Sequence, residues 1–400
     1  MCLNTDGHDS MLMWTPTEFS YRKFKRKAEQ TGYSTATLSA AELLSRKTVL
    51  WPIVDRLCDR GIFNVCPHAE FYSLADPLLS VTGESEPYGG LDAPFVASIG
   101  SGCVLTETGL VTTPERGIVN QGLFPPERGR RFVVAKLIWQ LFFESIDLTT
   151  SLARKNITRL DTRAETIGIC APLIPRYSNN YYHWLIETVP KIRYIRKFEE
   201  ETGLDVTYLV PGDAPSWLDE TLQLLKIPAE KVERASSSVY RAENLVLTSF
   251  PLQSKQDYEW IVQSVLENAE PDRGHISAGS NVYISRSKAV ERRVTNEDEV
   301  MDMLSQYNFE RYHLEDLSVE ENVTLFNEAN IIVGAHGAGL TDIIYSADVT
   351  VVELFGSKMK EPYKTLSETM GHEYMKLECT PASTDIKVDL DVLEEAINYR

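Results

Sequence analysis

The chain has 400 residues, 43% of them apolar, and a formal charge of −18 from 58 acidic against 40 basic side chains. That length predicts two domains with their own cores, and the acidic balance excludes a protein that coats nucleic acid or turns a broadly basic face to a membrane. Six cysteines (Cys2, Cys58, Cys66, Cys103, Cys170, Cys379) stand far apart without a CxxC, so they predict reduced, partly buried thiols and no zinc site. No run of about 18 apolar residues and no basic-then-apolar leader is present. The expected location is cytoplasmic, with any membrane contact peripheral.

Taken in chain order, the first basic feature is Tyr21–Lys27, which reads as a solvated helix face or as a contact for an anionic head group or phosphate-bearing acceptor. Residues 60–125 look β- and loop-rich, with short apolar runs at 95–99 and 103–105 broken by Gly and Pro. Residues 131–147 fit a helix or a strand–helix pair equally. From 167 onward the pattern turns regular: a strand near 166–170, a helix over 181–198, a strand at 206–210 and a helix over 217–226 capped by Ser216. A strand at 244–248 follows, and Pro251, Ser254 and Gln256 mark a linker between 248 and 258.

The last 140 or so residues repeat this rhythm more plainly. Helices are expected over 258–269, 296–306 (Asn296 as cap, Glu299 at N3), 319–329 (Ser318 as cap, Glu321 at N3), 340–346 and 388–399. Strands are expected at 281–285, 309–314, 330–333 and 350–354. Strands alternating with helices imply a parallel, doubly wound sheet. The predicted domains are 1–250 (β- and loop-rich to 130, Rossmann-like after it) and a Rossmann-like 258–380. A final helix in 381–400 is expected to pack back across the junction.

Chemistry concentrates in four segments. At Gly334-Ala335-His336-Gly337-Ala338-Gly339-Leu340-Thr341 a buried strand ends, glycines follow and a helix begins. Such a loop can bring backbone N–H groups and a helix dipole to a phosphate; it also serves as a tight βα turn. It is neither GxGxxG nor a P-loop, which argues against an NAD-dependent oxidoreductase or an epimerase. His336 reads as a local hydrogen-bonding group or as a donor to a phosphate or sugar. Arg286 and Lys288 follow the strand at 281–285 and could clamp a diphosphate if that strand neighbours the 330–333 strand. Otherwise they are a solvated strand end beside Arg292 and Arg293. Glu353, at a strand end, could accept from a ribose diol. In Tyr182-His183-Trp184-Leu185-Ile186-Glu187, His183 and Glu187 share a helix face at i and i+4. They are either a general base with its partner or a buried structural pair.

Three of these segments, 334–341, 283–286 and 182–187, together resemble glycosyltransferase family 61, whose members include prokaryotic capsular-polysaccharide proteins and eukaryotic xylosyl- and N-acetylglucosaminyltransferases. The resemblance runs over about 165–380. It implies a GT-B architecture, two Rossmann-like domains facing a cleft, and inverting transfer from a nucleotide-diphosphate sugar, expected to be a UDP-sugar, without an obligatory metal. By the same resemblance, Arg286, with Lys288 and His336 beside it, and Gly337, Ala338, Gly339, Leu340 and Thr341 hold the diphosphate, and Glu353 the ribose. Glu187, where eukaryotic members often have Asp, is the base, and His183 orients it or touches the acceptor. The expected partners are a nucleotide sugar and a glycan or polyprenyl-linked glycan acceptor in surface-polysaccharide or glycoprotein-glycan synthesis. The alternative is a non-catalytic module that binds a nucleotide sugar or glycan.

Overall fold

The computed structural model describes residues 70–72, 96–106, 109–112, 164–175, 179–251, 253–269, 280–357 and 359–398. The basic run at 21–27, the 131–147 segment and Cys2, Cys58 and Cys66 lie outside them. The chain forms two compact units. The first takes its described residues from the stretch up to Pro172, from Tyr194–Val210 and from Arg234–Phe250; the second takes Leu173–Arg193, Pro211–Glu233 and everything from Pro251 onward.

The first unit is built on a mixed sheet. Its strands are β1 (Glu70–Tyr72), β2 (Val96–Ile99), β3 (Gly102–Leu105), β4 (Leu110–Thr112), β5 (Glu165–Pro172), β6 (Thr207–Val210) and the ten-residue β8 (Val239–Thr248); the short β7 (Val232–Arg234) lies where the chain passes from one unit to the other. β2 and β3 run antiparallel along one edge of β8, while β5 lies parallel to β8 on its other edge and parallel to β6 beyond. Buried Val96, Val104, Cys170, Tyr208, Leu209, Tyr240 and Leu245 give the sheet its apolar contacts.

The second unit carries a five-stranded sheet in which every pairing is parallel. Its strands are β9 (Ser280–Ile284), β10 (Phe309–Tyr312), β11 (Ala329–Ala335), β12 (Thr350–Phe355) and β13 (Glu373–Glu378), in the spatial order β10-β9-β11-β12-β13. By order of appearance this is 2-1-3-4-5, a doubly wound arrangement whose chain reverses direction of travel between β9 and β11. The β-α alternation read from the sequence is therefore present. Ligands of open α/β sheets bind beyond the carboxyl ends of the two strands at such a reversal, which here means Ser285-Arg286 and His336-Gly337.

The α-helices among the described residues are α1 (Tyr181–Leu185), α2 (Val189–Thr202), α3 (Ser216–Leu224), α4 (Lys255–Leu266), α5 (Glu297–Leu304), α6 (Val319–Asn327), α7 (Pro362–Met370) and α8 (Leu390–Ile397). None of them is long and apolar enough to cross a membrane. Several differ from expectation for identifiable reasons. The single helix expected over 181–198 is two, α1 and α2. Pro190 is the second residue of α2, where a missing N–H does no harm, but in a continuous helix it would leave the Ile186 carbonyl without its donor. Ser216 is the first residue of α3, not its cap; Pro215 takes that place. Ser254, expected in a linker, instead caps α4, accepting from Asp257 N at 3.3 Å. The box at Ser318 and Glu321 forms as expected. At α5 no side-chain cap forms, because the Asn296 amide is used elsewhere: it bonds both the N–H and the carbonyl of Val388, at 3.0 and 2.9 Å.

Segments 173–193 and 211–233 pack with the stretch from Pro251 onward. One contact shows why: Glu220 of α3 accepts from Val319 N at 2.7 Å, satisfying one of the open donors at the start of α6. The final helix, α8, presses Leu393 and Ile397 into the second unit's own core with Tyr283, Val333, Val352 and Leu377. That is where the structure places the helix expected to cross the junction.

Candidate active site

Parallel pairing of β9 with β11, Ile284 opposite Gly334, puts the residues after both strands side by side. The neighbour relation on which the Arg286 reading depended is thus present. Arg286 lies directly over Gly337: a Cβ built on Gly337 would stand 2.1 Å from Arg286 Nη1 and 2.8 Å from Cζ. Gly337 has φ 176°, a backbone conformation open to any residue. A side chain here would displace the guanidinium from its seat, while the backbone itself makes no demand for glycine. Gly339 is constrained in the same way, its missing Cβ falling 2.8 Å from Leu314 Cδ1. The helix expected at 340–346 is a 3-10 helix that starts earlier, Ala338–Tyr345. Ala338 and Gly339 are its partly exposed rim, whereas Leu340 and Thr341 are fully buried.

Thr341 Oγ1 donates to the Ala338 carbonyl at 2.6 Å and so braces the loop from within. Arg286 Nη2 donates to the Glu291 carbonyl at 3.3 Å, but its Nε, like that of Arg292, is buried with no hydrogen-bond partner among the described residues. Burial, with Arg292 close by, lowers the Arg286 pKa from its ordinary value. Two adjacent guanidinium groups with unspent donors in a partly desolvated pocket make a strong site for a polyanion. Lys288 is turned elsewhere: half exposed, it donates to Asp316 Oδ1 at 2.6 Å.

His336 closes the end of β11. Its Nδ1 lies 2.5 Å from Glu353 Oε1, and its ring stacks on Phe355 with centroids 5.3 Å apart. Glu353 sits inside β12 with no exposed surface, and its second oxygen accepts from the Tyr374 hydroxyl at 2.6 Å. The strand register explains the reach, since Glu353 faces Lys376 on β13 and Tyr374 is the diagonal neighbour. With both oxygens engaged inside the fold, Glu353 presents none to a ribose diol. The sequence reading of Glu353 as the ribose acceptor is corrected on that ground; its partner is His336.

His183 and Glu187 straddle the break between α1 and α2, yet they pair, His183 Nδ1 to Glu187 Oε2 at 2.6 Å, and both remain partly exposed. Thr188 Oγ1 bonds the His183 carbonyl at 3.0 Å and fixes the turn. Lys191, one turn further on, has its pKa pushed down to about 8 by burial, with the charge of Glu187 opposing. A chain of rings joins this pair to the glycine loop. Tyr182 meets Tyr363 edge-on at 5.8 Å, and Tyr363 meets His336 at 5.4 Å. Burial and the charge of Glu353 push the Tyr363 phenol above its ordinary range, against a hydrogen bond with Thr341 and the charges of Arg292 and Arg286. Under the loop, burial pushes the pKa of Asp342 up to about 7, and its Oδ1 and the nearby Tyr181 hydroxyl are both buried without a hydrogen-bond partner among the described residues. Among the described residues no group of three or more His, Cys, Asp or Glu is placed to hold a metal ion.

The sequence missed Tyr363, Tyr374 and Arg292 as parts of this site. Arg292 stood in plain view beside Arg293, but that neighbour forks onto Asp385 at the surface, Nη2 to Oδ2 at 2.7 Å. The two aromatics carry no motif and arrive through α7 and β13.

The family model described as Glycosyltransferase 61 matches residues 181–352, a stretch that holds α1, both arginines and the glycine loop. The chain is also similar to an EGF domain-specific O-linked N-acetylglucosamine transferase of Drosophila melanogaster, 30% identical over 96 residues, which is 23% of this chain and 18% of that protein. It is 29% identical over 100 residues to a beta-1,2-xylosyltransferase of Arabidopsis thaliana, 21% of this chain and 19% of that protein. The chain thus spans about a fifth of the length of the curated relatives it matches.

Proposed function

We propose that this chain, whose residues 181–352 are a glycosyltransferase 61 domain, is an inverting glycosyltransferase that uses a nucleotide-diphosphate sugar, a UDP-sugar by preference, and a glycan or lipid-linked glycan acceptor. The names of its relatives, an O-linked N-acetylglucosamine transferase and a xylosyltransferase, support sugar transfer. The observation that carries the reading is the seating of Arg286 on Gly337 at the sheet's reversal point, joined through Tyr363 and Tyr182 to the His183–Glu187 pair.

In this reading the diphosphate lies against Arg286, Arg292 and the N–H groups of Ala338 and Gly339 at the start of the 3-10 helix. Lys288 contributes at most to the approach of the anion. Glu187, held at Oε2 by His183, takes the acceptor hydroxyl proton on its other oxygen. The acceptor oxygen bonds to the anomeric carbon from one face. On the other face the bond to the diphosphate breaks, and its electron pair leaves with the phosphate, whose growing charge the arginines receive. Because two cations are at hand for that charge, the reaction is expected to need no obligatory metal and to survive EDTA. A loss in EDTA restored by Mg or Mn would overturn that part. The GT-B arrangement, a cytoplasmic setting and peripheral membrane contact belong to the same proposal.

The test is calorimetry with UDP, GDP and CMP on wild type and Arg286→Ala, followed by a transfer assay with the sugar form of whichever nucleotide binds. Binding lost in the variant, with turnover by the wild type, is the expected result. Binding with no turnover towards any acceptor glycan supports a binding module instead. No nucleotide binding at all refutes the reading.

A further inference from the structure

We propose that Tyr374 is a positioning residue of the site: Tyr374, Glu353 and His336 form a buried relay that fixes which nitrogen of His336 carries the proton and leaves Nε2 for the ligand. The inference deepens the proposed function and rests on it for the activity it affects, but not for the relay itself.

The geometry points one way. Glu353 has no exposed surface, and its two oxygens meet two different donors, His336 on one side and the Tyr374 hydroxyl on the other. A carboxylate so placed is tolerated as an anion only where hydrogen bonds replace its water. An ionised carboxylate can only accept, so the proton in the 2.5 Å contact belongs to His336 Nδ1. The Tyr374 phenol is held in its protonated, donating form: burial raises its pKa well above the ordinary value, and the charge of Glu353 adds to that. Phe355 stacks on the imidazole, with ring centroids 5.3 Å apart.

Among the described residues, the charged or titratable groups around the relay include Tyr363 on α7, with Arg286 and Arg292 behind it, Lys376 opposite Glu353 on β13, and Glu361 and Glu368 near Tyr374. Removing the Tyr374 hydroxyl leaves one oxygen of a buried carboxylate without a donor. The proton shared with His336 can then shift onto Glu353, and His336 loses its fixed tautomer. An orienting carboxylate behind a catalytic imidazole has this same effect in other enzymes.

Two measurements test the proposal on the full chain. The first is a two-dimensional nitrogen–proton correlation of the histidine rings in uniformly labelled wild-type protein. The chain has seven histidines, and His336 is assigned by the resonance lost in His336→Gln. A proton on Nδ1 of His336, with Nε2 free or also protonated, is expected at neutral pH. A proton on Nε2 alone overturns the relay, and this arm needs neither activity nor Tyr374→Phe. The second is Tyr374→Phe. It is expected to move the His336 ring nitrogens and to lower kcat about tenfold, in line with loss of an outer-shell partner. KM for the nucleotide sugar should change less than about twofold, because the loss falls on the transition state. Unchanged ring nitrogens in a folded Tyr374→Phe refute the relay; moved ring nitrogens with an unchanged kcat refute the positioning role of Tyr374. If wild type shows the Nδ1 proton but transfers no sugar, the relay stands and the transferase reading falls.

Discussion

The two sheets of this protein differ in what they bury. Among the described residues the first unit keeps its carboxylates near the surface: Glu199 on α2, for example, is only part-buried, bonding Val206 N at 3.0 Å and the Tyr208 hydroxyl at 3.3 Å. The second unit's parallel sheet places Glu353 with no exposure and Asp342 and His336 with very little. Burying such groups works against stability unless each is paired. Their clustering at the reversal point of one sheet therefore marks where the fold has been shaped by something other than its own stability. Glu199 is a structural brace; the His336–Glu353–Tyr374 set orients a side chain that a ligand can use.

The comparison can be broken most decisively at Glu187. Glu187→Gln is expected to keep nucleotide binding and lower sugar transfer about a thousandfold, as general-base removal does; near-normal turnover would move the base elsewhere. Next is Arg286→Ala, expected to weaken nucleoside-diphosphate binding about a hundredfold by calorimetry, from the loss of charge-assisted hydrogen bonds. Affinity within about threefold of wild type would take Arg286 out of the site. Gly337→Ala comes third. Its new methyl would collide with the guanidinium, so binding should fall about tenfold while thermal unfolding changes little. The smallest effect belongs to the first unit: Glu199→Gln should cost about 1 kcal/mol of stability in urea unfolding and leave nucleotide affinity untouched. A change in affinity there would erase the contrast between the sheets.

Much of the second sheet was legible because its signals are local. An apolar run ending in glycines at 331–339, a strand ending in Arg286 and a capping box at Ser318 each declare themselves within a few residues. Arg286 could be named from sequence, but its seat on Gly337 depends on the β9–β11 pairing. Glu353 was found for its strand-end position and given the wrong partner, because its real ones, His336 and Tyr374, follow from ring stacking and the β12–β13 register. Lys288 was read as Arg286's companion because they are near in sequence; in space that companion is Arg292. The packing of 173–193 with the C-terminal half was out of reach for the same reason. Apolar faces on α1 and α3 say that something covers them, not what.

One feature of the second unit has a bearing on how such proteins can be altered. The segment that follows Arg286 is pinned to a hairpin far along the chain, β14 (Thr380–Ala382) with β15 (Asp385–Lys387). Arg292 N bonds Thr384 O, Ile386 N bonds Arg293 O and Thr295 N bonds Ile386 O, all within 3.0 Å, and Arg293 and Asn296 add side-chain bonds to Asp385 and Val388. The cation loop and the hairpin are thus one structural module written in two places. A chimera that transplants residues 286–296 from a relative has to carry residues 384–388 from the same parent if these bonds are to form.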